Sequence, residues 1–336
     1  MYEQHYGLAE KPFEIAPDPR FLFLNPSYRE LLAALLYGVT ERKGVIVLVG
    51  EVGTGKTLMI NSLKQRLDSN VGVATIVNPD LTFRQMLSMI LVDLGIDDGK
   101  LLCPTAVGLQ RLKRYSEERR ENAGNVLIVV DEAQNLRNKT LESLRMLSNI
   151  ETSSTKLIQL IFSGQPELER KLQKPEWRQF VQRISIKRRS AQLTQVECGE
   201  YIRHRLSVAG RTGPSPFSRE AQQAVFEYSE GIPRKINILC DNALLIGYGL
   251  NRKTVDAAII DEAVADLDWV RPSTGGATAA PRPQRRAPQG KMTHGGVGTS
   301  FLKKRLPDVP PLAVVLTGFL LLIGLTLWGW SKAGSG

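Results

Sequence analysis

Side chains that hold transition metals or form crosslinks are scarce in this chain, with three cysteines and three histidines in 336 residues. Cys103, Cys198 and Cys240 have no metal-ligand or dithiol redox spacing. They read as small buried apolar residues of a reducing compartment, which argues against a disulfide framework. His5, His204 and His294 form no recognisable ligand set, and His204, between two arginines on an expected helix, reads as a surface residue. No cationic, apolar, cleavable leader opens the sequence, so a signal peptide is not expected. Charge of one sign is also missing from most of the chain. The formal net charge is +10, but residues 1–268 hold 35 basic and 33 acidic side chains. The excess lies in a tail with nine basic residues and one acid, Asp308. A nearly neutral body with a cationic tail disfavours a nucleic-acid partner and favours a membrane surface.

What is present is a phosphate-binding loop. Gly50-Glu51-Val52-Gly53-Thr54-Gly55-Lys56-Thr57 fits the pattern G-x-x-x-x-G-K-[ST]. Val45–Val49 before it is a continuous apolar run expected to be a buried parallel strand. Leu58–Leu67 after it has helical spacing. Glycines let backbone N–H groups turn toward an anion, and the helix N-terminus adds partial positive charge at the same point. Lys56 is expected to reach the β- and γ-phosphates of ATP, and Thr57 to place its hydroxyl on Mg²⁺. The plain alternative, a glycine-rich turn with a chance lysine, does not account for the strand and helix on either side.

A second half of the site is expected at Val126–Val130, another buried-strand run, which ends in Asp131-Glu132. Carboxylates at the C-terminal end of a parallel strand lie where open α/β sheets bind ligands. Asp131 is placed to hold Mg²⁺, directly or through water. Glu132 is placed to orient and deprotonate the attacking water. A carboxylate there points to hydrolysis of ATP, because a pure switch has less need of a base.

Residues 1–26 carry four prolines among aromatics and read as an irregular packed arm. Asn25 or Ser27 is suited to cap a helix reaching about Arg42. Strands are expected at 71–77, 126–130, 157–162 and 184–187, and helices at 83–94, 105–121 and 138–149. Strands alternating with helices imply a parallel sheet covered on both faces, an α/β core over residues 27–193. Residues 194–268 read as purely helical, with candidate helices at 195–209, 218–228, 233–247 and 255–267. Residues 269–308 are rich in Pro, Gly, Ala and Arg and read as a flexible basic linker, reaching about 35 Å as a free coil. Val309–Ser331 is 23 residues without a charge. That length suits one transmembrane helix. Lys303-Lys304-Arg305 on its N-terminal flank place the body in the cytoplasm by the positive-inside rule.

These segments carry a resemblance. The opening Met1-Tyr2 with Tyr6-Gly7-Leu8 and Lys11-Pro12-Phe13, then Pro17-Asp18-Pro19-Arg20-Phe21-Leu22, and the phosphate loop belong to it. So do Asp131-Glu132-Ala133-Gln134-Asn135-Leu136, Gly164-Gln165-Pro166-Glu167-Leu168, Gln182-Arg183-Ile184 and Gly231-Ile232-Pro233-Arg234. Over most of residues 1–268 the chain resembles the AAA+ ATPases of the general secretion pathway protein A group. It is more distantly similar to transposition ATPases of the TniB/TnsC type. The resemblance implies an AAA+ P-loop core followed by a small helical lid. It implies that Gln165 senses the γ-phosphate and that Arg183 is a finger offered to a neighbouring subunit's nucleotide. It implies that Arg234 is a second sensor coupling the lid to nucleotide state. Arg178, Arg188 and Arg189 stay open as alternatives for the finger, and Gln165 as a residue that simply ends a strand. Family members resemble motors that build an envelope-spanning pore and carry a peptidoglycan-binding domain after the membrane span, where this sequence ends at Gly336.

The expected function is that of a single-pass bacterial inner-membrane ATPase, oligomeric as a ring or arc, that uses ATP to assemble or remodel a secretion or export complex through a membrane-protein partner. Two other readings stand beside it. One is a DNA-binding regulator of transposition type, motivated by Lys187-Arg188-Arg189. The other is a scaffold whose nucleotide controls oligomerisation with little turnover.

Overall fold

Three of the five strands are buried along their whole length, and this decides the architecture. A computed structural model describes residues 1–99, 102–152 and 155–269. The chain divides into Met1–Gly275 and Gly276–Gly336, and every described residue falls in the first unit. Strands β1 (Val45–Val49), β3 (Asn125–Val130) and β4 (Ile158–Gly164) are buried at every position. They form the centre of a five-stranded sheet of order β2-β3-β4-β1-β5, parallel throughout. The edges are β2 (Val71–Ile76), which alternates between buried and half-buried residues, and β5 (Ile184–Arg189), which is largely exposed.

Alternation along the strands divides the apolar side chains between two layers. Ile46, Leu48, Leu127, Val129 and Ile161 face one layer, with helices α2 (Pro26–Thr40) and α3 (Lys56–Lys64). Val45, Val47, Val49, Ile128 and Phe162 face the other, with α4 (Phe83–Asp93), α5 (Thr105–Glu121) and α6 (Asn138–Leu147). Two further helices, α7 (Pro166–Leu172) and α8 (Arg178–Val181), join that second layer through Leu168, Leu172 and Phe180. Neither was expected, because each is too short for its periodicity to register.

Helices α9 (Gln195–Val208), α10 (Arg219–Ser229), α11 (Pro233–Gly249) and α12 (Ala257–Asp266) follow. Side chains set three of these starts: Thr194 forms a capping box with Glu197, and Ser218 and Asp256 each accept from the backbone N–H three residues on, while α11 opens on Pro233. Asn25, one of the two expected caps, does the same for α2 by accepting from the Tyr28 N–H.

The arm is more ordered than its composition implied. It holds a short helix, α1 (Tyr2–His5), and a single 3₁₀ turn at Pro19–Phe21. Tyr2, Tyr6, Phe13 and Phe21 are buried in the same cluster as Tyr201, Leu239 and Ile260 of the helical segment. Tyr2 Oη donates to Asp241, and Tyr6 Oη to the Arg252 carbonyl. All three cysteines are buried and free. His204 departs from expectation: it is half-buried beside Phe23, with ring centroids 5.7 Å apart. Trp269, at the expected start of the linker, packs partly buried against the helical cluster. The rest of that linker and the apolar span 309–331 lie outside the described residues. Among the described residues no helix is long and apolar enough to cross a membrane.

Candidate nucleotide site

The strand order brings three C-terminal strand ends together. Val49 pairs with Gly164 and Val130 with Phe162, so the segments after β1, β4 and β3 leave the sheet side by side. Neighbouring strands are about 4.8 Å apart, so the ends of β1 and β3, from which the phosphate loop and the Asp131-Glu132 pair leave, are roughly 10 Å apart across the sheet.

The loop Gly50–Thr57 has two residues in the left-handed region, Gly53 at φ 82° and Gly55 at φ 83°. It is anchored from behind. The Thr54 carbonyl accepts from Tyr28 Oη at 3.0 Å and from Ser190 Oγ at 2.9 Å. Thr54 Oγ1 donates to the Glu51 carbonyl at 2.8 Å. The Gly50 N–H donates to Gly164 at the end of β4 at 3.1 Å. Lys56, only 6% exposed, turns its Nζ back to the carbonyls of Gly50 (2.8 Å) and Glu51 (2.9 Å). Burial lowers its pKa below the ordinary lysine value, partly offset by the carboxylates of Glu132 and Asp131. Val52, by contrast, points to solvent and is exposed.

Thr57 Oγ1 donates to Asp131 Oδ2 at 2.8 Å. The other carboxylate oxygen, Oδ1, accepts from the buried Ser163 Oγ at 2.8 Å and from the Glu132 N–H at 3.0 Å. A hydroxyl and a carboxylate held this way are hard oxygen donors of the kind Mg²⁺ takes. Glu132 adopts φ 50° and directs its carboxylate to two side-chain amides. Its Oε2 accepts from Gln134 Nε2 at 2.6 Å and from Gln165 Nε2 at 3.1 Å. Gln165 thus does more than follow β4: its side chain reaches the Glu132 carboxylate while its backbone stands at the start of α7.

Arg234 lies in the first turn of α11 and touches the loop directly, its N–H donating to the Gly53 carbonyl at 3.2 Å. A Cβ on Gly53 would come within 2.7 Å of Arg234 Cβ. Between loop and helices lies a cleft of about 260 Å³. Gly53, Lys56, Thr57 and Glu132 line one part, and Tyr201, Arg205, Arg234 and Asn237 another. Ile15, Ala16 and Pro17 of the arm complete the wall.

Arg183 stands apart. It precedes β5 beside Val45, at the end of β1 opposite the phosphate loop. Five residues of strand at about 3.3 Å each separate it from the loop level. Its guanidinium donates to Ser148 Oγ at 3.1 Å and to Asn149 Oδ1. Within one chain it does not meet the site. Among the alternatives for the finger, Arg189 is paired with Glu169, and Arg188 donates to the Lys187 carbonyl.

Several residues of this site had no assigned role in the sequence: Tyr28, Ser163 and Ser190, which hold the loop and Asp131, and Gln134, which holds Glu132. The arm residues Ile15–Pro17 and the helical residues Tyr201, Arg205 and Asn237 were also missed. Only Gln134 and Pro17 stood within quoted motifs, and the motifs gave no partner for either.

The AAA domain family model matches residues 39–172, which contain the loop, Asp131, Glu132, Gln134 and Gln165. General secretion pathway protein A of Aeromonas hydrophila is 36% identical over 275 residues, covering 81% of this chain. The chain spans about half of that relative, 49% of its length. Among solved structures, the Aeropyrum pernix ORC2 protein in ADPNP–ADP complexes superposes with a TM-score of 0.59 at 18% identity, covering 76% of this chain and 71% of that one. The ORC1 protein of the same organism in complex with DNA gives a TM-score of 0.56 at 18% identity, covering 77% and 69%. At these identities the two structures speak for the fold alone. Loop, strand order and sequence agree, and the chain belongs to the AAA ATPases of the general secretion pathway protein A type.

Proposed function

We propose that this chain binds ATP with Mg²⁺ in the cleft above β1, β3 and β4 and hydrolyses it to ADP and phosphate. The observation that carries this reading is the grouping of Lys56, the Thr57–Asp131 pair and Glu132 at one sheet edge. The carbonyls that now hold the Lys56 ammonium are weak partners for it. A triphosphate would draw it to the β- and γ-oxygens, where full charge meets full charge. Thr57 and Asp131 would hold Mg²⁺, which supplies charge neutralisation on the phosphates. Glu132 accepts the proton of the attacking water, and Gln165 donates to the γ-phosphate as it separates. Arg234, already against the loop, carries the nucleotide state into α11. Arg183 serves a neighbouring copy, in keeping with its distance from the loop of its own chain.

In this reading residues 1–26 are the arm, 27–193 the ATPase core and 194–268 the lid. The linker 269–308 and span 309–331 anchor them to a bacterial inner membrane. The work is done at the cytoplasmic face on a membrane-protein partner of a secretion or export system, in a ring or arc of copies. The kinship with general secretion pathway protein A and the apolar span support that placement. ATP turnover of the purified full chain, beside Lys56→Ala and Glu132→Gln, tests the enzymatic part. Equal phosphate release from all three proteins would sink it.

A DNA-binding reading keeps one motive, the exposed Lys187-Arg188-Arg189 on β5. Glu169 pairs with both Lys187 and Arg189 and cancels part of that charge. Salt-dependent, ATP-stimulated duplex binding by the full chain would revive it. The scaffold reading predicts an oligomer that differs between ATP and ADP while turnover stays at background.

A further inference from the structure

Glu132 is held by more than the strand it follows. Its φ of 50° is a left-handed conformation that a residue with a long side chain adopts only with strain. The surroundings hold it at both ends: Asp131 Oδ1 accepts from its N–H at 3.0 Å, and Gln134 holds its carboxylate. Gln134 Nε2 donates to Glu132 Oε2 at 2.6 Å, closer than the 3.1 Å of Gln165 Nε2 to the same oxygen. Its other amide atom is also engaged, because Gln134 Oε1 accepts from the Gln165 backbone N–H at 3.0 Å. That N–H belongs to the residue preceding α7, at the end of β4. One amide thus ties the carboxylate after β3 to the turn after β4. The space for it is provided by a residue with no side chain. A Cβ at Gly164 would lie 2.8 Å from Gln134 Oε1. Both amides converge on one carboxylate oxygen, Oε2, and leave Oε1 for water.

We infer that Gln134 is a positioning residue for hydrolysis, fixing the Glu132 carboxylate so that its second oxygen faces the attacking water, with Gly164 as the gap that admits it. The inference rests on the reading of Glu132 as the group that orients water. Gln134 itself makes no contact with nucleotide in this role. Its loss therefore lowers kcat and leaves ATP affinity in place, since misplacing a reacting group by an ångström can cost about a hundredfold in rate.

The test uses the purified full chain. ATP affinity is measured with a fluorescent ATP analogue, and single-turnover phosphate release is followed separately. Gln134→Ala is expected to slow release by about tenfold to a hundredfold with affinity within about twofold of the parent. Gln134→Glu keeps the size and the acceptor for the Gln165 N–H but removes the donor, and is expected to slow release as much. Gly164→Ala is expected to slow release in the parent, but to add no more than about twofold in the Gln134→Ala background, because the two share one contact. Unchanged release from both Gln134 variants, with Glu132→Gln inactive, overturns the inference and leaves the ATPase reading standing. Affinity that falls in step with release also overturns it. Full release from Glu132→Gln overturns both.

Discussion

At the scale of single residues, three positions of the site, Gly53, Gly55 and Glu132, sit on left-handed backbone. Gly53 combines φ 82° with a neighbour, Arg234, that leaves no room for a Cβ. Gly53→Ala should push α11 off the loop and weaken ATP binding by about tenfold, since it adds left-handed strain to a clash. Isothermal titration with a non-hydrolysable ATP analogue would register the change. His204 offers a different test. Burial and the nearby Arg205 charge lower its pKa below the ordinary 6.5, against a small opposing contribution from a hydrogen bond at Leu22. The folded protein then binds fewer protons than the unfolded chain just below that ordinary value. Stability is fully present above it and falls as pH drops toward the folded pKa. Melting temperature should decline on acidification through this window, and the decline should be shallower in His204→Asn. The sequence placed His204 on the surface because two arginines flank it. It had no means of showing that Phe23, nearly two hundred residues earlier, covers the ring. The placement of the loop, Asp131 and Glu132 was legible because each follows a continuous apolar strand run. Gln134 was not, because its contact depends on which strand lies beside β3.

At the scale of elements, legibility followed burial. The continuous apolar runs of β1 and β3 announced central strands. β5 runs two residues past the expected Lys187 because Arg188 and Arg189 pair with Leu48 and Val49 of β1 while their side chains stay in water. An edge strand tolerates charge, and charged strand ends also discourage pairing with another sheet. The arm shows the reverse case: its aromatics signalled packing without naming a partner. Besides the Tyr2 and Tyr6 contacts, the connection rests on Arg205 on α9, 4% exposed, which donates to the carbonyls of Pro12 and Glu14 and to Tyr201 Oη. Its guanidinium also stacks over Phe21 at 4.6 Å. Arg205→Ala would strand two arm carbonyls and remove the stacking, a loss of about 2–4 kcal/mol. Urea denaturation of the variant would measure it, and the arm residues Ile15–Pro17 that wall the cleft should become accessible to protease before the rest of the chain.

At the scale of the whole molecule, the placement of Arg183 makes a prediction about pairs of chains. If Arg183 is the finger and Lys56 the phosphate contact, Arg183→Ala and Lys56→Ala should each be inactive alone. Mixed in equal amounts they should regain part of the parent's ATP turnover, because some interfaces then join an intact loop to an intact Arg183. Failure to regain any turnover would argue that Arg183 serves only its own chain, through Ser148 and Asn149. The stitched arm has a consequence of another kind. Tyr2 finds its partner in Asp241 and Tyr6 in the Arg252 carbonyl, contacts separated by 239 and 246 positions along the chain. A ribosome makes the first residues long before the last helix has left its exit tunnel. Until then Tyr2, Tyr6 and Phe13 have nowhere to be buried, and closing such long loops is slow. Translation should therefore produce a waiting species, with the sheet formed and an apolar N-terminus uncovered, which is the form a chaperone would meet.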